Sequence, residues 1–308
     1  EWATSHGVDI VHNSFQMDPW VYWSPTDPEQ AAGLEAATRS IKYAQDKGLA
    51  VIAAAGNEGV SIDNPTIDNG SPTDAPSPTK GRNVEGSIRV PSMIDGVAQV
   101  SAVMQAYNVR PGLSLARADF SNYGTTIDFA APGDQIYSTA TQLFYLSGYA
   151  VADGTSMATP QLTGASALVL QRVQSDPLFA SMSAREKVDV VQNLIMGTAA
   201  PIADPLQDTG DPYSPRKQGS GLTNVLAATT SSVYPTVKGA PESSRPKADL
   251  GDGTKGWHFD VTLHNLSGVE ATYALNTQAL SEIVEDGFFT GHSSDWRGKG
   301  VDIAYSGA

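Results

Sequence analysis

The chain has 308 residues, no cysteine, 19 basic and 33 acidic side chains, and a formal net charge of −14. At roughly 150 residues per domain this length suggests two domains, or one large domain with an appendage, and 40% hydrophobic content is enough for a packed core and excludes general disorder. A pI of about 4.6 argues against nucleic acid or an anionic membrane as partner, and the lack of cysteine excludes disulfides, thiolate catalysis and cysteine-ligated zinc.

Glu1 opens the chain without a basic-then-apolar leader, as expected of a processed or truncated piece. Val8–Val11 reads as a short strand, and Glu29–Lys47 as a helix with Leu34, Ile41 and Tyr43 at helical spacing and Gly48 as its stop. Leu49–Ala55 is a continuous apolar run, far shorter than the roughly 20 residues that span a bilayer and of the length expected for a strand covered on both faces. Ser61–Arg89 is rich in Pro, Asp, Asn and Gly and reads as a long surface loop. Val97–Val103 and Ile127–Ala131 complete a set of strands separated by helices, which implies an α/β fold with a parallel sheet. Thr155–Val173 is a helix with Leu162, Ala165, Leu168 and Val169 as its apolar stripe, and Ser183–Met196 is another, opened by a capping-box pattern at Ser183 and Glu186. Past residue 230 the character changes. Ser231–Gly256 reads as a linker with a short strand, Trp257–His264 alternates with period two, and Ala271–Thr277 alternates as well. These are the first strands of an all-β module, too few for the roughly seven of a complete sandwich. The expected division is residues 1–230 and 231–308.

Two segments carry chemistry. In Gly154-Thr155-Ser156-Met157-Ala158-Thr159-Pro160 a serine stands among small residues at a helix start, where free N–H groups and the helix dipole favour developing negative charge. In Ala53-Ala54-Ala55-Gly56-Asn57-Glu58-Gly59 an asparagine follows a buried strand, at the strand end where ligands gather in open α/β sheets. Taken singly, the first also reads as a helix start used for packing and the second as an ordinary strand-to-loop turn.

Together, and in this order, the two segments resemble the subtilisin-like serine peptidases. Asp119-Phe120-Ser121-Asn122-Tyr123-Gly124 and Asp128-Phe129-Ala130-Ala131-Pro132-Gly133 agree with that family, and Tyr213 to Leu222 resembles the end of the catalytic domain in lactocepin-type cell-envelope proteinases. The resemblance implies a partial subtilisin-like parallel sheet with flanking helices, followed by an incomplete fibronectin-like sandwich. It also implies a serine endopeptidase acting on proteins or peptides, outside the cell or at its surface, with no cofactor needed for chemistry, no nucleic-acid partner and no membrane insertion. Residue by residue, Ser156 becomes the nucleophile, Asn57 and the Ser156 N–H the oxyanion donors, and Ser14, Phe15 and Gln16 a strand along the substrate. Ala53, Ala54, Ala55 and Gly56 become a wall of the specificity pocket, with Gly154 and Thr155 beside the nucleophile. Gln16 departs from the family, which usually has Gly there.

The family's triad runs Asp, His, Ser along the chain, so both partners of Ser156 are expected upstream of the Val8 strand, in a part of the polypeptide that precedes Glu1. The chain alone is then expected to be inactive and to leave the Val8 strand as an exposed sheet edge. His6-Gly7 lacks the Thr and helix that should follow a catalytic His-Gly; His12 reads as a packing or rim residue; His258, His264 and His292 belong to the β module; and Asp208-Thr209-Gly210 follows no strand. Asp63, Asn64, Asp68, Asn69 and Asp74 carry the hard oxygens that calcium takes, but no ligand spacing sets them apart from a solvated turn-rich loop. Two rival classes remain, a pseudo-peptidase that binds peptides without cutting them and a surface structural module.

Overall fold

An uninterrupted apolar strand needs cover on both faces, and the computed structural model, which describes residues 1–72, 81–105, 115–205, 210–238, 245–248, 257–285 and 288–295, shows how that cover is built. The central sheet runs β1 (Ile10–Asn13), β2 (Ala50–Ala54), β3 (Ala98–Gln105) and β5 (Ile127–Pro132) side by side and parallel. The short β4 (Leu115–Arg117) lies antiparallel on the end of β3. Register pairs His12 with Ile52, Ile52 with Ala98, and Ala102 with Ala131. The edge of this sheet is β1, as expected.

Period-two alternation divides the side chains of β2 between two cores. Val51 and Ala53 face α1 (Pro28–Asp46), packing with Leu34, Trp23 and Ile94. Ile52 faces the opposite side and joins Val100, Phe129 and the helices α2 (Thr155–Ser175) and α3 (Ala184–Thr198). The sequence expectations for these elements hold to within two or three residues. Asp27 caps α1, its carboxylate accepting from Glu29 N at 2.9 Å, with Pro28 at the first helical position. Gly48 ends the turn after α1 with φ +82°, and a Cβ there would lie 2.2 Å from that of Ala184. The Ser183–Glu186 capping box forms as read.

One stripe residue was misassigned. In α2 the buried face is Ala158, Leu162, Ala165, Ser166, Val169, Leu170 and Val173, whereas Leu168 is exposed. Leu168 lies on the row 164, 168, 172, outside the two adjacent covered rows at i, i+4 spacing (162, 166, 170 and 165, 169, 173), and so faces solvent.

Between β5 and α2 the chain makes a hairpin, β6 (Ile136–Thr139) with β7 (Tyr149–Ala152), stiffened by stacked Tyr137 and Tyr149 rings 5.3 Å apart. Its tip, Leu143–Leu146, is exposed. After α4 (Val225–Thr230), β8 (Val233–Lys238) packs on α3, burying Tyr234 and Val237 and placing Pro235 against Gly197. It pairs antiparallel with β9 (Asp260–Asn265), and β10 (Leu280–Glu285) pairs with β11 (Phe288–Asp295). The period-two reading of Trp257–His264 thus yields a strand only from Asp260, and Trp257, Phe259, Val261 and Leu263 all stay about half exposed. Among the described residues Ala271–Thr277 does not form a strand, and alternation by itself does not make one.

Part of the stretch read as a linker is fastened to the sheet. Asp128, buried at the start of β5, accepts from Arg245 Nη1 at 2.7 Å, Lys247 Nζ at 3.0 Å and Gln99 N at 2.9 Å. Arg245 also bonds Gln192 of α3 at 3.0 Å. Burial alone pushes the Asp128 carboxyl up, but the Arg245 and Lys247 charges and the Gln99 N–H together bring it below its ordinary value. The unfolded chain therefore takes up this proton at a higher pH than the folded one. The clamp's stabilisation is complete above the usual carboxylate range and is lost as pH falls through the lower, folded-state value. Removing one partner of a buried pair strands the other charge, so Arg245→Ala should lose about 3–5 kcal/mol near neutral pH. Urea denaturation across the acid range checks this: the variant should show a lower midpoint and a shallower acid-side decline, and coincident curves would exclude the clamp.

Candidate active site

The carboxyl ends of β1 and β2 and the first turn of α2 meet at one place, and three side chains from these elements interlock there. Beyond Ala54 the chain turns through Gly56, whose φ of +101° and crowded surroundings admit only glycine; a Cβ would meet Asn122, Arg89 and Glu58 within 2.9 Å. The next residue, Asn57, accepts at Oδ1 from Thr155 N and from Thr155 Oγ1, both at 2.8 Å. A backbone N–H can only donate, so the Asn57 atom facing it must be the carbonyl oxygen, and Nδ2 is left as an outward donor. Thr155 Oγ1 in turn accepts from Gly56 N at 3.1 Å, closing the loop between strand end and helix start. Gly154 caps the helix with φ +149°, its missing Cβ leaving the Asn57 amide a place 3.2 Å away.

Ser156 occupies the first turn of α2, where its N–H has no intrahelical acceptor. Its Oγ donates to Ser14 O at 3.3 Å, and its own carbonyl accepts from Ser14 Oγ at 2.9 Å. Four residues on stands Pro160, inside the helix and without an N–H.

These residues line a cleft of about 330 Å³, together with Phe15, Gln16, Met17, Asp18, Trp20, Val21, Ala54, Gly70 and Pro72. Of the residues singled out in the sequence, Ser14, Phe15, Gln16, Ala54, Gly56, Asn57, Thr155 and Ser156 line this one cleft. The side chains of Ala53 and Ala55 do not line the cleft. Alternation along the strand turns them inward, Ala53 into the α1 core and Ala55 against Ile62 and Ile127. Gly154 is buried as the helix cap. The segment Met17–Val21 went unread as a cleft wall, although its pair of tryptophans with Trp23 was a visible signal.

Behind the cleft lies a polar support that the sequence reading also missed. Arg89 is almost wholly buried, donates to Glu58 Oε1 at 3.1 Å and to Tyr22 Oη at 3.1 Å, and stacks on the Tyr22 ring. Asn122 bonds Glu58 as well and donates to Ala55 O at 3.1 Å, while its Oδ1 accepts from Val60 N. The turn carrying Asn57 is thus held on both sides. At the base of the hairpin, burial raises the Asp134 carboxyl and the neighbouring Asp153 charge raises it further.

None of the cleft's lining residues is a histidine. His6 stacks on Trp2 at 4.3 Å, His12 lies exposed on the edge strand, His258 faces Asp260 at 3.4 Å, and His264 bonds Thr236 and stacks on Tyr234. The side chain of His292, and Asp208 and Thr209, lie outside the described residues. Of the oxygen-bearing loop residues, Asp63 accepts from Thr125 and Arg216, and Asp68 from Gly70, Ser71 and Arg82; Asp74 lies outside the described residues. Among the described residues no three acidic or histidine side chains converge, and no helix is long and apolar enough to cross a membrane.

Residues 1–221 match the peptidase S8, or subtilase, family. Subtilisin DY of Bacillus licheniformis is 29% identical over 228 residues, which is 74% of this chain and 59% of that protein. Subtilisin Savinase of Lederbergia lenta is 30% identical over 229 residues, again 74% of this chain and 59% of the relative. C5a peptidase of Streptococcus pyogenes is 29% identical over 162 residues, 51% of this chain but 13% of the larger protein. The chain thus spans 59% of the length of the two subtilisins it matches. Among solved structures, the epidermin leader peptide processing serine protease of Staphylococcus aureus superposes with a TM-score of 0.52 at 20% identity, covering 74% of this chain and 51% of that one. That likeness speaks for the shared α/β fold. With the family match running through both the Asn57 turn and the Ser156 helix, the chain belongs to the subtilase family.

Proposed function

We propose that this chain supplies the acylating half of a secreted or cell-surface serine endopeptidase. Ser156 is the nucleophile, attacking the scissile carbonyl to form an acyl-enzyme. The negative charge that develops on the carbonyl oxygen is received by Asn57 Nδ2 and the Ser156 N–H, with the N-terminal end of α2 adding a favourable dipole. Ser14, Phe15 and Gln16 pair with the substrate as an extended strand, and Ala54 and Gly56 form one wall beside its side chain, with the backbone of Ala53 and Ala55 behind them. Gly154 and Thr155 fix the approach of the substrate and the orientation of the Asn57 amide. The observation that carries this reading is the double acceptance by Asn57 Oδ1 at 2.8 Å, which leaves Nδ2 to donate in the cleft that Ser156 also lines.

Ser156 Oγ rests on the Ser14 carbonyl, and among the described residues no histidine lines the cleft to take its proton. The Asp and His partners come, in this reading, from the polypeptide upstream of Glu1, in the family order Asp, His, Ser. Residues 231–308 lead into a fibronectin-like β module, a reading supported by the antiparallel pairings β8–β9 and β10–β11. The chemistry needs no metal or organic cofactor.

Casein turnover by the full-length polypeptide tests the assignment. Ser156→Ala should abolish it, and Asn57→Ala should lower kcat by about 10²–10³-fold, a magnitude known from subtilisin itself, with little change in KM. Residues 1–308 alone should show no turnover; robust serine-dependent cleavage by that chain would overturn the upstream origin of the base. A full-length polypeptide that binds casein without cutting it would instead favour a peptide-binding pseudo-enzyme.

A further inference from the structure

The first turn of α2 contains a backbone defect that a distant side chain repairs. In a regular helix the Ser156 carbonyl would accept from the N–H of residue 160. That residue is Pro160, which has no N–H to give. The Ser14 hydroxyl, at the end of β1 and 142 residues away, donates to this carbonyl at 2.9 Å, and the Ser14 carbonyl accepts from Ser156 Oγ at 3.3 Å. Thus a hydroxyl and a carbonyl of one residue engage a carbonyl and a hydroxyl of the other.

We propose that Ser14 is a positioning residue for Ser156: its hydroxyl replaces the hydrogen bond that Pro160 cannot make and so sets the turn from which the Ser156 hydroxyl projects. The proposal rests on Ser156 being the nucleophile. Its logic is geometric. Substrate pairing uses the Ser14 backbone, whereas the bond to the Ser156 carbonyl comes from its side-chain hydroxyl, so mutation of the side chain removes that bond alone. An N–H at position 160 would hold the Ser156 carbonyl within the helix; because proline has none, that carbonyl depends on the Ser14 hydroxyl. The contact couples the register of β1, along which the substrate lies, to the placement of the reacting oxygen. Reaction geometry is sensitive to displacements of the order of 1 Å.

The test is a double-mutant cycle in the full-length polypeptide, read as kcat and KM on a short peptide substrate. Ser14→Ala leaves the Ser156 carbonyl unpaired and should lower kcat roughly tenfold with KM within about twofold. Ser14→Thr keeps the hydroxyl and should stay near wild type. Adding Pro160→Ala to Ser14→Ala supplies the missing N–H and should recover most of the lost kcat, whereas Pro160→Ala alone should change kcat little. An unchanged kcat in Ser14→Ala, or no recovery in the double variant, would overturn the proposal. So would a Ser14→Ala protein that fails to fold and is not restored by Pro160→Ala. A wild-type polypeptide without serine-dependent turnover would instead remove the peptidase reading beneath it, so the two failures are told apart by the wild-type control.

Discussion

A helix cannot satisfy its own first turn, and much of this structure is arranged around that constraint at one helix. The opening turn of α2 presents the Thr155 and Ser156 N–H groups, and Pro160 adds a carbonyl with no helical partner. Two of these three groups face different strand ends. Thr155 N is met by Asn57 from the end of β2, and the Ser156 carbonyl by Ser14 from the end of β1. Among the described residues, the Asn57 Nδ2 and the Ser156 N–H remain unpaired after these fastenings, two donors from residues that line one cleft. The chemistry proposed for the cleft follows from this residue of unmet hydrogen-bonding capacity.

Burying polar groups so close to the cleft requires support from behind. Glu58, Arg89, Tyr22 and Asn122 form a network beneath the Asn57 turn, each held by at least one other member. In a low-dielectric surrounding such a network is stiff when its members are paired and costly when one is removed. At the far side of the sheet Asp128 gathers Arg245, Lys247 and the Gln99 N–H, so a segment late in the chain is tied to β5 and α3. Both arrangements join stretches distant in sequence, the first beneath the cleft and the second on strands of the same sheet.

What could be read beforehand was local. The Gly48 stop of α1, the Ser183–Glu186 capping box, the covered strand Ala50–Ala54 and the serine at the start of α2 are all written within a few neighbouring residues. The misreadings share a cause, dependence on a remote partner. Arg245 and Lys247 sat in a polar stretch that looked like a linker because Asp128 is 117 residues away from Arg245. Arg89 looked like the end of a surface loop because Glu58 and Tyr22 supply its burial. Ala53 and Ala55 were assigned to the cleft, although their methyls join cores built with residues distant in sequence, such as Leu34, Ile62 and Ile127. Ser14 was recognised for its backbone, while the use of its hydroxyl only became visible once β1 and α2 were side by side.

The central claim is that the hydroxyl of Ser156, flanked by the Asn57 amide, is the group that becomes acylated. The most direct measurement is peptide mapping by mass spectrometry of the full-length polypeptide after reaction with a fluorophosphonate. The account predicts a single adduct on Ser156 that forms far more slowly when Asn57 is replaced by alanine. An adduct on another serine, or none under conditions where the polypeptide cleaves casein, would contradict it.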